Sequence, residues 1–358
     1  MRLGQVATNG GPRPHAATAN IVQLDILRIA ATAAVVWLHV SALVVLNTDS
    51  TPPQWWAGNI ADAASRWCLP IFVMLSGALL LNDPRSFTAT EFYIRRASRL
   101  LLPLAFWTAV YLGYRYFHDH IARADLLRDT LRGYPYYHLW YLFMIVGLYA
   151  VTPLLKTLVV NSNRATVTIT ALMVFLITSI DRTLSLAMLS AHHLKDAPHT
   201  FLVLWLRFVP YFLAGYILIK WPRRISIALT MTCALISCAL LSIVTAYAHQ
   251  KDWQDPYFAY DYLDPIVVCV SLILFACISS TPVSCSPATR RWLQSLASLT
   301  FGIYLVHPLW LNALQKVGLT GLTYPAVVGI PLTTVTAFAL SAVTTAAIRA
   351  TPVLRRVV

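Results

Sequence analysis

Two residues of the first long apolar stretch, Arg28 and His39, have the types and the spacing for chemistry inside a helix. They are eleven positions apart. At about 100° per residue this is three turns plus roughly 20°, so both fall on one face, with Thr32 and Val35 between them. At a rise of about 1.5 Å per residue, their separation along the axis is about 16 Å. A cation near one edge and an imidazole deep on the same stripe form a line that could hold an anionic molecule by its phosphates and present its far end to a base. Imidazole suits that role because it can be neutral near pH 7 and take a proton from a hydroxyl. Taken singly, Arg28 reads equally well as a cation snorkelling to lipid phosphates, and His39 as an interhelical hydrogen bonder.

A second constellation is Phe301-Gly302-Ile303-Tyr304-Leu305-Val306-His307-Pro308. Tyr304 and His307 are three apart and share a helix face. Pro308 has no N–H to give to the carbonyl of Tyr304, which leaves an acceptor free at mid-depth. Tyr304 and His307 are thus candidate catalytic groups, as hydrogen-bond donors to an oxyanion. The cluster Arg95, Arg96 and Arg99, with Pro103 behind it, is a candidate phosphate-binding mouth. Arg66, Arg115 and Arg207 lie at the opposite lips, where they either grip an anionic acceptor or snorkel. Trp140 belongs to the aromatic rim on that same side. The stretch from Pro70 to Gly77 reads as small-residue helix packing. The six cysteines, Cys68, Cys233, Cys238, Cys269, Cys277 and Cys285, sit singly and read as core filler. No metal-ligand spacing, nucleotide loop or HExxH pattern is present, so no metal is expected.

The elements that must position these residues follow from composition. Of 358 residues, 58% are apolar and only 11% charged, too few charges for a water-facing surface of ordinary size. A soluble enzyme is excluded. At about 20 apolar residues per crossing, ten stretches of spanning length can be marked, at 24–46, 64–82, 97–117, 138–158, 165–181, 203–219, 225–247, 263–281, 299–317 and 324–348. With the N-terminus inside, 16 of the 27 Lys and Arg fall on inner segments and seven on outer loops, while 11 of the 14 acidic residues face out. Cytoplasmic loops collect Lys and Arg, so the net charge of +13 reports orientation rather than a nucleic-acid partner. The expected fold class is an all-α integral membrane protein, a bundle of about ten transmembrane helices with both termini cytoplasmic. Residues 1–20 are expected as a disordered tail, 21–350 as one transmembrane domain and 351–358 as a short basic tail. A signal peptide ending near Ala42 fits less well, because the run from Leu24 to Leu46 is too long for one. Three outer loops, at 47–63, 118–137 and 182–202, are long enough to be functional.

These residues together resemble acyltransferase family 3, the multi-spanning membrane O-acyltransferases of cell-surface saccharides, in its small form without an appended hydrolase domain. The resemblance rests on Leu24-Asp25-Ile26-Leu27-Arg28 and, after ten intervening residues, His39; on Pro70 through Gly77; on Arg95-Arg96-Ala97-Ser98-Arg99-Leu100 with Pro103; on His138-Leu139-Trp140-Tyr141-Leu142; and on Gly302 through Pro308. It implies transfer of an acyl group, usually acetyl from acetyl-CoA, across a bacterial inner membrane to a hydroxyl of an extracytoplasmic or lipid-linked saccharide. By the same analogy His39 is catalytic and Arg28 binds the donor or organises the site. A transporter or flippase of polysaccharide precursors is the alternative, but it calls for broken helices in two corresponding halves, and no such repeat is visible. A pH sensor or scaffold is a third.

Overall fold

A computed structural model of the chain describes residues 14–85, 88–192 and 201–358, with side chains from residue 22 onward except at 186–192 and 201–202. The described residues form helices and no strands. In chain order these are α1 Pro14–Leu46, α2 Pro52–Ala63, α3 Cys68–Leu81, α4 Ala89–Phe117, α5 Arg123–Leu131, α6 Trp140–Val160 and α7 Arg164–His192. Then come α8 Phe201–Leu204, a 3-10 turn, α9 Val209–Lys220, α10 Ile227–Gln250, α11 Pro265–Ser280, α12 Pro287–Lys316 and α13 Ala326–Ala350. Residues 1–13 of the expected tail lie outside the described residues.

Local chemistry sets where these helices begin. Thr88 accepts from the N–H of Glu91 while the Glu91 carboxylate accepts from the N–H of Thr88, a reciprocal capping box that opens α4. Asp264 and Ser286 cap α11 and α12, each followed by a proline at the first helical position, where no N–H is needed.

Eight helical stretches among the described residues are long and apolar enough to cross a membrane, against the ten marked in the sequence. The two that fall short are the third and the sixth. The third lies on α4, which carries Arg95, Arg96, Arg99 and Arg115. The sixth lies on α9, a helix of 12 residues preceded by a 3-10 turn. The three long loops expected on the outer side are also more helical than their composition suggests. The first holds α2, the second α5, and α7 continues to His192 in what was expected to be the start of the third; residues 193–200 lie outside the described ones. At the other terminus, the expected tail 351–358 ends in a 3-10 turn at Leu354–Val357, and the indole N–H of Trp107 donates to the carbonyl of Val357 at 2.8 Å.

Helix α1 is the hub, packed against α2, α3, α11, α12 and α13. Thr32 is fully buried and Val35 is 2% exposed, so the stripe joining Arg28 to His39 faces the bundle. The closest helix approach is between α3 and α9. A Cβ added at Gly77 would lie 1.8 Å from the carbonyl oxygen of Phe212, and one at Gly215 would lie 1.9 Å from that of Met74. Each glycine therefore makes room for the other helix's backbone, which is the packing expected of the Ser76-Gly77 pair. Gly77→Val must push two backbones apart and should cost at least about 1–3 kcal/mol. Thermal unfolding in detergent should show a lowered midpoint for Gly77→Val. Gly113→Val, where an added Cβ meets nothing within 4 Å, should unfold like the wild type.

Candidate active site

The polar centre of the bundle is a layer of imidazole and phenol rings contributed by three places in the chain. His39 projects from α1, Tyr137 and His138 lie just before α6, and Tyr304 and His307 come from α12. The His39 ring stacks on His307 at 5.3 Å between centroids and meets the edge of Tyr137 at 4.8 Å. His138 lies 5.5 Å from His307 and 5.3 Å from Tyr304. Tyr111 of α4 packs against the far side of His138, at 4.9 Å.

Pro308 fixes the orientation of this layer. The Tyr304 carbonyl that the proline cannot serve accepts a hydrogen bond from Nδ1 of His307 at 2.7 Å, and the neighbouring carbonyl of Leu305 accepts from the hydroxyl of Tyr111 at 2.6 Å. A carbonyl oxygen only accepts, so Nδ1 of His307 carries the proton in the neutral ring and Nε2 carries the lone pair. Nε2 is buried and has no hydrogen-bond partner. The Tyr304 hydroxyl donates to the carbonyl of His138. Both groups proposed from sequence as oxyanion donors are thus committed to carbonyls, and His307 is arranged as a proton acceptor instead.

Two cavities lie toward different ends of α3, and one of them reaches the ring layer. One, of about 300 Å³, is lined by Arg28, Ser76, Arg96, Tyr141, Tyr149 and Tyr304. It follows α6 from Tyr149 to Tyr141, eight residues or about 12 Å of helix, and ends on the Tyr304 ring, 5.7 Å from that of Tyr141. The other, of about 360 Å³, is lined by Arg66, Trp140, Arg182, Arg207, Tyr260 and Tyr262. Its deepest cation, Arg66, pairs with Asp62 one turn away at 2.5 Å and sits over the Tyr260 ring at 4.2 Å. Asp62 is 1% exposed, and a carboxylate that deep needs such a partner.

The residues marked in the sequence fall into three sets. Arg66, Trp140 and Arg207, far apart in the chain, meet in one cavity. Arg28 and Arg96 meet in the other, whereas Arg95 and Arg99 are exposed and line neither. The reason is helical phase. Arg95 and Arg99 are one turn apart on the outer face of α4, while Arg96 shares the inward face with Phe92 and Leu100, which are buried. Its guanidinium lies 5.9 Å and 6.0 Å from the ring centroids of Phe92 and Tyr149. His39, Tyr304 and His307 do come together, but the expected line along α1 does not form a channel. Thr32 and Val35 are packed, the cavity from Arg28 runs along α6 and α12, and His39 stands behind Tyr304 and His307 rather than in its lining. Arg115 is spent on the loop, donating to the carbonyl of Pro135 and to Asp129.

From sequence, Arg182, Tyr149 and Asp62 receive no site role, and His138 enters only as part of a motif. His138 carried one usable signal, an imidazole directly before an apolar run and directly after three tyrosines within four residues. Asp62 and Arg66 carried another, an opposite-charge pair at i and i+4 beside a spanning segment. Arg182 and Tyr149 had no local signal.

A family model described as an acyltransferase domain matches residues 21–346, nearly the whole chain. No curated protein and no solved structure matches it. A bundle of membrane-length helices with this match over all five motif regions is a membrane acyltransferase, and the chain belongs to acyltransferase family 3.

Proposed function

We propose that the protein moves an acyl group, acetyl in the simplest case, from cytoplasmic acyl-CoA to a hydroxyl of a saccharide, free or lipid-linked, on the far side of a bacterial inner membrane. Both termini are then cytoplasmic. The observation that supports this reading is a buried layer of imidazole and phenol rings with one arginine-containing cavity ending on its Tyr304 ring and a second arginine-containing cavity around Arg66 and Trp140. The Arg28 and Arg96 cavity fits the donor: guanidinium groups for phosphates at its mouth, then a lining of Tyr149, Leu75 and Phe72 for the pantetheine arm. The Arg66, Trp140 and Arg207 cavity fits the acceptor, with an aromatic face for a sugar and cations for a phosphate or acidic substituent.

In the transfer step, an imidazole takes the proton of the acceptor hydroxyl as its oxygen attacks the acyl carbonyl. The C–S bond of the thioester then breaks, and the same proton is returned to the leaving thiolate. His39 is the base in this scheme, and His307, with its Nε2 lone pair buried beside His39, backs it or receives the proton in turn. A relayed route, in which His39 carries the acyl group between two half-reactions, uses the same geometry. Because Tyr304 closes the donor cavity, its ring must swing for the thioester to meet the acceptor in either route.

Membranes containing the protein, supplied with labelled acetyl-CoA, should pass label to surface or lipid-linked glycan, identified by mass spectrometry. His39→Ala should lower that transfer about 10²- to 10⁴-fold, the usual worth of a general base, at unchanged protein level in the membrane. Wild-type transfer in that variant removes His39 from the mechanism.

The helical phase of α4 separates its three arginines by experiment. Arg96→Ala should raise the KM for acyl-CoA about 10- to 100-fold, the worth of a charge-assisted hydrogen bond. Arg95→Ala and Arg99→Ala, on the outer face, should shift it by less than about three-fold. Equal effects at all three positions would mean that the donor binds the loop surface rather than the cavity.

A further inference from the structure

The largest cavity described so far is not the only space on the acceptor side. A third one, of about 480 Å³, lies between the end of α1, the start of α2 and the end of α10. Trp55 and Trp56, which the sequence places in the aromatic rim, line it together with His249 and Tyr257. The Trp55 indole stacks on the His249 imidazole at 4.8 Å and 16°, and the Trp56 indole stands at 85° to Trp55, so the two indoles make a right-angled corner. Trp56 keeps 39% of its surface exposed.

The polar part of the lining has a definite character. Asn47, Thr48, Ser50 and Gln250 contribute amide and hydroxyl groups, and no Lys, Arg, Asp or Glu among the described residues lines the cavity. The neighbouring acceptor cavity, by contrast, is lined by Arg66, Arg182 and Arg207 with Asp255 and Asp261. Tyr257 lines both, so the two spaces adjoin. Burial holds the Tyr257 phenol above its ordinary range, which keeps it a neutral donor at that boundary.

Flat aromatic faces carry negative charge that attracts the C–H face of a pyranose, while amides and hydroxyls match its ring of hydroxyl groups. A volume of this size is that of a small-ligand pocket. Interfacial tryptophans that merely anchor a helix need neither a shared concavity nor a lining of amides. We propose that the Trp55–Trp56–His249 cavity is a subsite for an uncharged sugar ring of the acceptor, next to the charged, arginine-containing cavity. This rests on the saccharide-acceptor reading and narrows it: the acceptor is an oligosaccharide or glycan chain that spans two subsites, not a single sugar.

The test uses the full chain in lipid nanodiscs and saturation-transfer difference NMR. The probes are the methyl glycosides of glucose, galactose, mannose and rhamnose, with glucose 1-phosphate as the anionic comparison. At least one neutral glycoside should receive saturation, and Trp56→Ala should weaken its binding about five-fold, with Trp56→Phe restoring much of it. Trp253→Ala removes an exposed rim indole that does not line the cavity and should leave neutral-glycoside binding as in the wild type. The subsite is overturned if no neutral glycoside binds, if Trp56→Ala binds as well as the wild type, or if Trp253→Ala weakens binding equally. Turnover of labelled acetyl-CoA is read in the same nanodiscs. Turnover without glycoside binding overturns the subsite alone, and glycoside binding without turnover overturns the transfer reading alone.

Discussion

Pro308 has no N–H, and the consequences of that missing donor run through the centre of the molecule. Inside a helix bundle a freed carbonyl cannot turn to water, so it must be served by a side chain or leave a polar atom stranded. The carbonyl of Tyr304 is served by Nδ1 of His307. That bond fixes which nitrogen of His307 holds the proton, points the lone pair of Nε2 away from its own helix, and sets the plane on which His39 stacks. Had residue 308 been able to donate, the imidazole would have no reason to turn back on its own backbone. A proline placed where a helix should not have one is therefore the device that gives an apolar bundle an oriented base.

Charge is distributed around this layer by similar necessity. A guanidinium within membrane depth must face the interior and find a partner. Arg66 has Asp62 and the Tyr260 ring, and Arg96 has the rings of Phe92 and Tyr149. The aromatic partners matter because they steady a guanidinium without neutralising it. Carboxylates serve the other arginines of these cavities: Arg28 pairs with Asp25 at 3.4 Å, Arg182 with Asp261 at 3.0 Å and Arg207 with Asp181 at 3.7 Å.

How much of this can be seen in one dimension depends on how local its cause is. The free carbonyl at Tyr304 is a covalent fact about Pro308, and the shared face of Arg28 and His39 follows from the helical period, so both were legible in the sequence. Helical phase also held the answer for α4, since Phe92, Leu100 and Pro103 mark the inward face and Arg96 falls among them. A run of three arginines reads as one patch only until that phase is applied. The charges of α4 and the brevity of α9 explain why ten apolar stretches become eight helices that meet a strict measure of length and apolarity. What could not be read is which helix faces meet. That the Arg28 cavity follows α6 and α12 rather than α1 depends on the packing of Thr32 and Val35 against neighbours far away in the chain. The meeting of Arg66, Trp140 and Arg207 likewise depends on how the start of α3 and α6 assemble with the turn before α9.

On the proposed reading, the closed ring layer lets an enzyme work across a membrane without becoming a leak. A thioester is open to hydrolysis, and a continuous aqueous passage between Arg28 and Arg66 would expose it to water from both sides. Stacked rings avoid this because they pack as densely as an apolar core yet carry nitrogen and oxygen atoms able to hold and pass a proton. Tyr304 shows the compromise most directly: its ring closes the Arg28 cavity, while its hydroxyl is tied to the carbonyl of His138 by a single bond that a modest rotation can break. The barrier to ions and water and the site of reaction are then the same few side chains.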